Sequence, residues 1–253
     1  MKKQYTRAPQ RKVWLTLIDP LKRLLTVFGR VLPAAVIRNL VSMTMYLQLG
    51  KWAKNHGFEF SFRSRNRDDV FRFVSEKLKN EKAVYLEFGV FEGNSMRFWS
   101  DHLLNPESQL HGFDSFEGLP EAGGLWFKGE FDVGGKIPAI DDPRVKFHKG
   151  WFDQVLPGFK MPEHDVLIIN IDADLYSSTI FVLQQLKDYI RPGTYLFFDD
   201  LAAFDHEPRA ITEFLQETGM KWRGVSAHVS LNHAFFECVA MAEPVTSELR
   251  IAG

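Results

Sequence analysis

Two runs of the sequence end in clustered acids: Ile171-Asp172-Ala173-Asp174-Leu175-Tyr176 and Phe197-Phe198-Asp199-Asp200. Each begins as an apolar run of strand length. Ionised carboxylates gathered at neighbouring strand ends repel one another unless a cation joins them. Oxygen ligands of this kind suit Mg²⁺, which takes a few carboxylates and keeps positions for water or substrate. Asp172, Asp199 and Asp200 are the expected ligands. Asp174 is expected to cap the helix that runs through Tyr176, and one of Asp199 and Asp200 has the alternative of a turn-forming role.

A second group lies upstream in Glu87-Phe88-Gly89-Val90-Phe91-Glu92-Gly93-Asn94-Ser95. Gly89 and Gly93 permit close approach of a ligand and a tight entry into a helix near Ser95, although the pattern is not G-x-G-x-x-G and structural turns also use glycine. Asp114 follows 25 residues after Gly89, at the end of another strand-like run. An acid there can accept hydrogen bonds from ribose hydroxyls, the alternative being a cap or turn before Ser115. A glycine turn with a distal acid points to an adenosine-containing ligand.

These groups need a scaffold that gathers strand ends. Apolar runs at Val84–Val90, Leu110–Phe113, Val145–His148, Val166–Ile171 and Thr194–Phe198 alternate with helical patterns at Ser95–Leu104, Trp151–Val155, Tyr176–Ile190 and Arg209–Thr218. Alternation of this kind predicts a parallel sheet with helices on both faces, because parallel strands need crossovers. Trp222–Val229 and Ala234–Ala240 are joined by only four residues, so they are expected to close the sheet edge as an antiparallel hairpin. Phe58, Phe60 and Phe62 alternate into Arg63, Arg65 and Arg67; this reads as a short edge strand, or as an arginine cluster that receives an anion. Asp68 or Asp69 is expected to cap the helix that follows.

The net charge of −1 hides an asymmetry: residues 1–80 carry 17 basic and 5 acidic side chains, the rest 14 and 27. The basic front starts with Lys2, Lys3 and Arg7, and within it residues 13–50, with Lys22, Arg23, Arg30 and Arg38 between short apolar runs, read as amphipathic helices broken at Pro20 and Pro33. Such helices pack on the domain, on a second copy of the chain, or peripherally on anionic lipid. Composition with 45% hydrophobic and 25% charged residues fits one globular domain with an appended segment, divided here as 1–57 and 58–253. A single cysteine, Cys238 in an apolar run, excludes a disulfide framework within one chain and reads as a buried thiol. No uncharged stretch reaches the roughly 18 residues of a membrane span, and charges and Pro20 spoil a secretory signal, so the chain is expected in the cytoplasm.

Five blocks in order, EFGVFEGNS (87–95), GFDSFEGLPE (112–121), KGWFDQVLP (149–157), IDADLYSST (171–179) and FFDDL (197–201), resemble the macrocin-type O-methyltransferases. The resemblance covers about residues 60–240. It implies an α/β, Rossmann-like class I methyltransferase fold: a mostly parallel seven-stranded sheet with an antiparallel edge hairpin. It further implies S-adenosylmethionine held by Glu87, Phe88, Gly89, Val90, Gly93, Asn94, Ser95, Asp114, Ser115 and Asp172, and a divalent metal on Asp172, Asp199 and Asp200. The implied acceptor is a hydroxyl of a sugar or a related secondary metabolite.

A metal-bound hydroxyl becomes a better nucleophile because the cation lowers its pKa, which gives Asp172 a catalytic role. A base must still take the proton, and His206 and His148 are the candidates. Residues 115–143 interleave six glycines with Leu125, Trp126, Phe127 and Phe131, as expected of a lid over an apolar acceptor or of an oligomer contact. A nicotinamide-dependent oxidoreductase shares the glycine-and-acid pattern but gives no work to the aspartate cluster. An inactive scaffold that binds through its basic front is the other alternative. Nucleic acid is not expected as a partner, since the basic residues lie away from the predicted site.

Overall fold

The computed structural model describes residues 9–124 and 126–241; Lys2, Lys3, Arg7 and Leu125 lie outside them. The chain divides into two compact units between Thr44 and Met45. The first contains helix α1 (Pro9–Gly29) and the start of α2 (Ala34–Asn55). The expected break at Pro20 is absent: α1 runs through it, and the chain turns only at residues 30–33. Proline removes one backbone donor from a helix, and the good helix formers after it, Leu21 to Leu25, carry the helix on. Leu21, Leu24, Leu25, Phe28, Leu40 and Met43 are exposed on these helices.

The second unit holds the sheet. In chain order it comprises the end of α2, β1 (Phe62–Ser64), α3 (Arg67–Leu78), β2 (Ala83–Phe88), α4 (Asn94–His102), β3 (Gln109–Asp114), β4 (Val145–Lys149) and α5 (Phe152–Val155). There follow β5 (Val166–Ile171), α6 (Tyr176–Leu186), β6 (Tyr195–Phe198), α7 (Glu207–Thr218), β7 (Lys221–His228) and β8 (Ala234–Ala240). The sheet order is β1-β7-β8-β6-β5-β2-β3-β4, with β7/β8 and β6/β8 antiparallel and every other pair parallel. This is the α/β, mostly parallel sheet with an antiparallel pair that the resemblance implied.

Two details differ from expectation. The sheet has eight strands, because Phe62–Ser64 pairs in parallel with Ser226–His228, and so the β7–β8 hairpin is not the outermost element. The cap of α3 is Asn66, whose Oδ1 accepts the Asp68 N–H at 3.0 Å. Asp68 and Asp69 fall in the first turn instead, where their charge favours the positive end of the helix dipole.

Every residue of β2 is buried, as a central parallel strand requires. Val84, Leu86 and Phe88 face one core, while Ala83 and Tyr85 face the other with Phe71, Trp99, Phe197 and Phe235. Those four rings meet mostly edge-on at 4.7 to 5.9 Å, a geometry worth about 0.5–1.5 kcal/mol per pair beyond area burial. From β2 the chain winds outward through β3 and β4, then returns to β5 on the other side. A crevice therefore opens beyond the carboxyl ends of β2 and β5, where ligands bind in open α/β sheets.

Candidate active site

A cavity of about 900 Å³ occupies that crevice. On one side, β2 carries Glu87 just before its terminal residue, Phe88; Glu87 is a buried side chain whose Oε2 accepts the Tyr85 hydroxyl at 3.1 Å, and that hydroxyl in turn accepts from Asn170 at 2.9 Å. Burial, then the nearby Asp172 charge, pushes the Glu87 carboxyl well above its usual range. At Gly89 the backbone turns left-handed with φ +90°, and a Cβ there would lie 1.8 Å from the Asp172 carbonyl oxygen. Chain packing alone therefore requires this glycine. Gly93 caps α4 at φ +77°, against Pro138.

Asp114 spans the loop from the end of β3. Its Oδ2 accepts the N–H groups of Val90 at 2.7 Å and Phe91 at 2.9 Å, and its Oδ1 accepts the N–H of Phe116 at 2.7 Å. A carboxylate offers about four acceptor positions, so three are committed to the backbone and one is left for an incoming donor. Ser115 accepts the Glu117 N–H at 3.1 Å and helps to shape the same turn.

On the opposite wall, one oxygen from each of Asp172, Asp199 and Asp200 lies within 4.8 Å of the other two. Burial, then the charge of Asp199, raises the Asp172 carboxyl to about 7. Asp199 and Asp200 rise to about 6, both chiefly through burial. Arg67 opposes this: its guanidinium sits 3.1 Å from Asp172 Oδ2 and 3.2 Å from Asp199 Oδ1. One guanidinium against three carboxylates leaves an excess of negative charge. The donor set therefore fits a divalent cation, and Asp199 Oδ1 is among the buried oxygens without a hydrogen-bond donor.

Asp174 does not cap α6. The residue before that helix is Leu175, with no side-chain cap, while Asp174 is buried at φ +57° and its carboxyl rises to about 9 through burial and the charge of Asp200. His206 does the capping, its Nδ1 accepting the Tyr176 N–H at 3.1 Å. The neutral ring then carries its hydrogen on Nε2, which suits a donor and not a base. His148 pairs its Nε2 with His111 Nδ1 at 3.0 Å and stacks on Phe113. Neither histidine lines the cavity.

Of the expected cofactor residues, Glu87, Gly89, Val90, Asn94, Ser95, Asp114, Ser115 and Asp172 line the cavity. Phe88 and Gly93 do not: Phe88 is stacked on Phe113 in the core, and Gly93 faces Pro138. The connection after β3 supplies a wall through Leu119, Pro120, Glu121, Trp126, Lys128 and Phe131. It is tied down by Ser177 to Glu121 at 2.7 Å and by Trp126 against His206. Sequence reasoning missed Glu207. It is fully buried, accepts the Asp200 N–H at 2.9 Å, and has its carboxyl pushed well up by burial. Its signal was an acid opening a helix seven residues after Asp200.

Residues 136–226 match the family model described as macrocin-O-methyltransferase (TylF). That segment contains Asp172, Asp199 and Asp200, while Glu87 and Asp114 precede it. Among curated proteins, the chain is 29% identical over 148 residues to the 8-demethyl-8-(2,3-dimethoxy-alpha-L-rhamnosyl)-tetracenomycin-C 4'-O-methyltransferase of Streptomyces olivaceus, covering 54% of this chain and 53% of that protein. It is 28% identical over 105 residues to the demethyldecarbamoylnovobiocin O-methyltransferase of Streptomyces niveus, covering 34% and 39%. The matches thus span about half, or less, of those relatives' length. Among solved structures, the calicheamicin methyltransferase CalS11 aligns with a TM-score of 0.49 at 20% identity, covering 85% of this chain and 89% of that one.

Proposed function

We propose that the protein is an O-methyltransferase that moves the methyl group of S-adenosylmethionine to a hydroxyl of a small molecule of the sugar or secondary-metabolite type. The observation that carries this reading is one cavity lined both by the Glu87–Ser95 loop with Asp114 and by Asp172, Asp199 and Asp200. A nicotinamide-dependent oxidoreductase would leave the second wall without a task.

The residues divide the work. Glu87, the 89–95 loop and Asp114 would hold the cofactor, which supplies an already activated methyl group. Asp172, Asp199 and Asp200 would hold Mg²⁺, which supplies a lowered pKa at an oxygen bound to it. Arg67 keeps Asp172 and Asp199 paired, and Glu207 fixes the Asp200 backbone. Trp126, Phe131 and Phe91 give the mouth an apolar rim that suits a ring-bearing acceptor and excludes water. Alignment of donor and acceptor in such an enclosure supplies much of the rate.

The test is an S-adenosylmethionine turnover assay over glycosides, phenols and polyols, with Mg²⁺ or with chelator. Methylated product that disappears with chelator supports the reading; equal product in both conditions removes the metal from it.

The partner reading is a second copy of this chain on the exposed apolar residues of α1 and α2. It is supported by the opposite charge of the basic front and the acidic remainder. Light scattering on the full chain tests it, and co-sedimentation with phosphatidylserine vesicles tests the lipid alternative. Among the described residues no helix is long and apolar enough to cross a membrane.

A further inference from the structure

Arg67 touches the aspartate cluster, and its position is fixed from three sides. It opens α3; its guanidinium carbon lies 5.2 Å from the Phe71 ring centre and 5.5 Å from that of Phe197; and both rings belong to the core. From that seat it donates a hydrogen bond through Nη2 to Asp172 Oδ2 at 3.1 Å, and its Nε lies 3.2 Å from Asp199 Oδ1 as an ion pair without hydrogen-bond geometry. The hydrogen bond takes Oδ2 of Asp172 and leaves Oδ1 of that carboxylate off the guanidinium, while Asp199 Oδ1 lies beside the charge and accepts no hydrogen bond.

We propose that Arg67 sets the cation preference of the site, holding Asp172 as a single-oxygen ligand and so favouring Mg²⁺ over Ca²⁺. The inference rests on the metal reading of Asp172, Asp199 and Asp200. Mg²⁺ is small, demands near-octahedral geometry and keeps several waters, so it needs few protein oxygens. Ca²⁺ takes six to eight oxygens and gains from carboxylates that bind through both. A guanidinium that occupies the second oxygen of Asp172 therefore penalises Ca²⁺ specifically. Its own positive charge repels both cations alike, since both carry two charges, and that repulsion drops out of the ratio. A lysine is a point charge on a flexible stem without the rigid planar fork of arginine, so it preserves less of the effect.

The test is isothermal titration of MgCl₂ and of CaCl₂ into the full chain, each alone, for wild type, Arg67→Met and Arg67→Lys, with near-ultraviolet circular dichroism to check the fold. Wild type is expected to prefer Mg²⁺. Arg67→Met is expected to shift the Mg²⁺/Ca²⁺ affinity ratio toward Ca²⁺ by roughly tenfold, and Arg67→Lys by less in the same direction. Should the methionine variant fail to fold, the lysine variant carries the same comparison. If both cations bind wild type and the ratio does not move, or both affinities fall in proportion, Arg67 has only a structural role and the inference is wrong. If neither cation binds wild type, the metal reading fails and this inference with it.

Discussion

A Cβ placed on Gly89 would lie 1.8 Å from the carbonyl oxygen of Asp172. The turn that ends β2 and the turn that ends β5 are thus in backbone contact, and the two walls of the cavity share one joint. Gly89→Ala adds both a strained φ and an overlap that only backbone movement relieves. It is expected to cost about 3 kcal/mol of stability, read as a lower urea midpoint, and to weaken divalent-cation binding at Asp172. An alanine variant as stable as wild type would show that the joint is loose.

Asp114 is already committed to three backbone donors, so its substitution acts twice. Asp114→Asn places an amide N–H₂ against some of those N–H groups and withdraws the charge from the remaining acceptor position. S-adenosylhomocysteine affinity is expected to fall ten- to hundredfold, the worth of about 1.4–3 kcal/mol for a charge-assisted hydrogen bond. Calorimetric titration of wild type and variant checks this, and unchanged affinity would confine Asp114 to organising the loop.

His206→Ala removes the acceptor for the Tyr176 N–H. The expected loss is about 1 kcal/mol of stability, as for other helix caps. With an acceptor identified from the turnover panel, the acidic limb of the rate–pH profile should remain. Disappearance of that limb would restore His206 as the base.

His111 gives a pH dependence of stability. Burial first, then His148 and Lys146, lowers its pKa from 6.5 to about 4. The unfolded chain therefore binds a proton that the folded chain refuses. The stability this group contributes is full above pH 6.5 and is lost as pH falls through about 4, by at most roughly 3 kcal/mol. The carboxyls raised in the cavity act in the opposite sense over part of this range, so the measurement is a difference. Urea unfolding of wild type and His111→Phe between pH 7 and pH 4 should show the wild type losing more stability than the variant. Parallel curves would mean that His111 protonates freely in the folded state.

Much of this site is legible in the sequence. Period and turn chemistry placed β2, β3, β5 and β6, and the residues at strand ends then fell into one crevice because parallel strands put their carboxyl ends on one side. What escaped depends on contacts between distant parts of the chain. Phe62–Ser64 reads as a short edge strand in sequence, but its parallel pairing with Ser226–His228, which makes it an eighth strand outside the hairpin, does not show there. Asp174 looks like a cap in sequence, yet its left-handed backbone turns it inward and leaves the capping to a histidine 30 residues away. Arg67 was visible as one of three arginines awaiting an anion. That the anions are the protein's own Asp172 and Asp199 follows only from where α3 packs.

The central claim is an adenosylmethionine site built from β2, β3 and β5. Its most direct test is calorimetric titration of the full chain with S-adenosylhomocysteine and, separately, with NAD. The account predicts one-site binding of S-adenosylhomocysteine and no heat from NAD. Binding of NAD, or silence with S-adenosylhomocysteine, would contradict it.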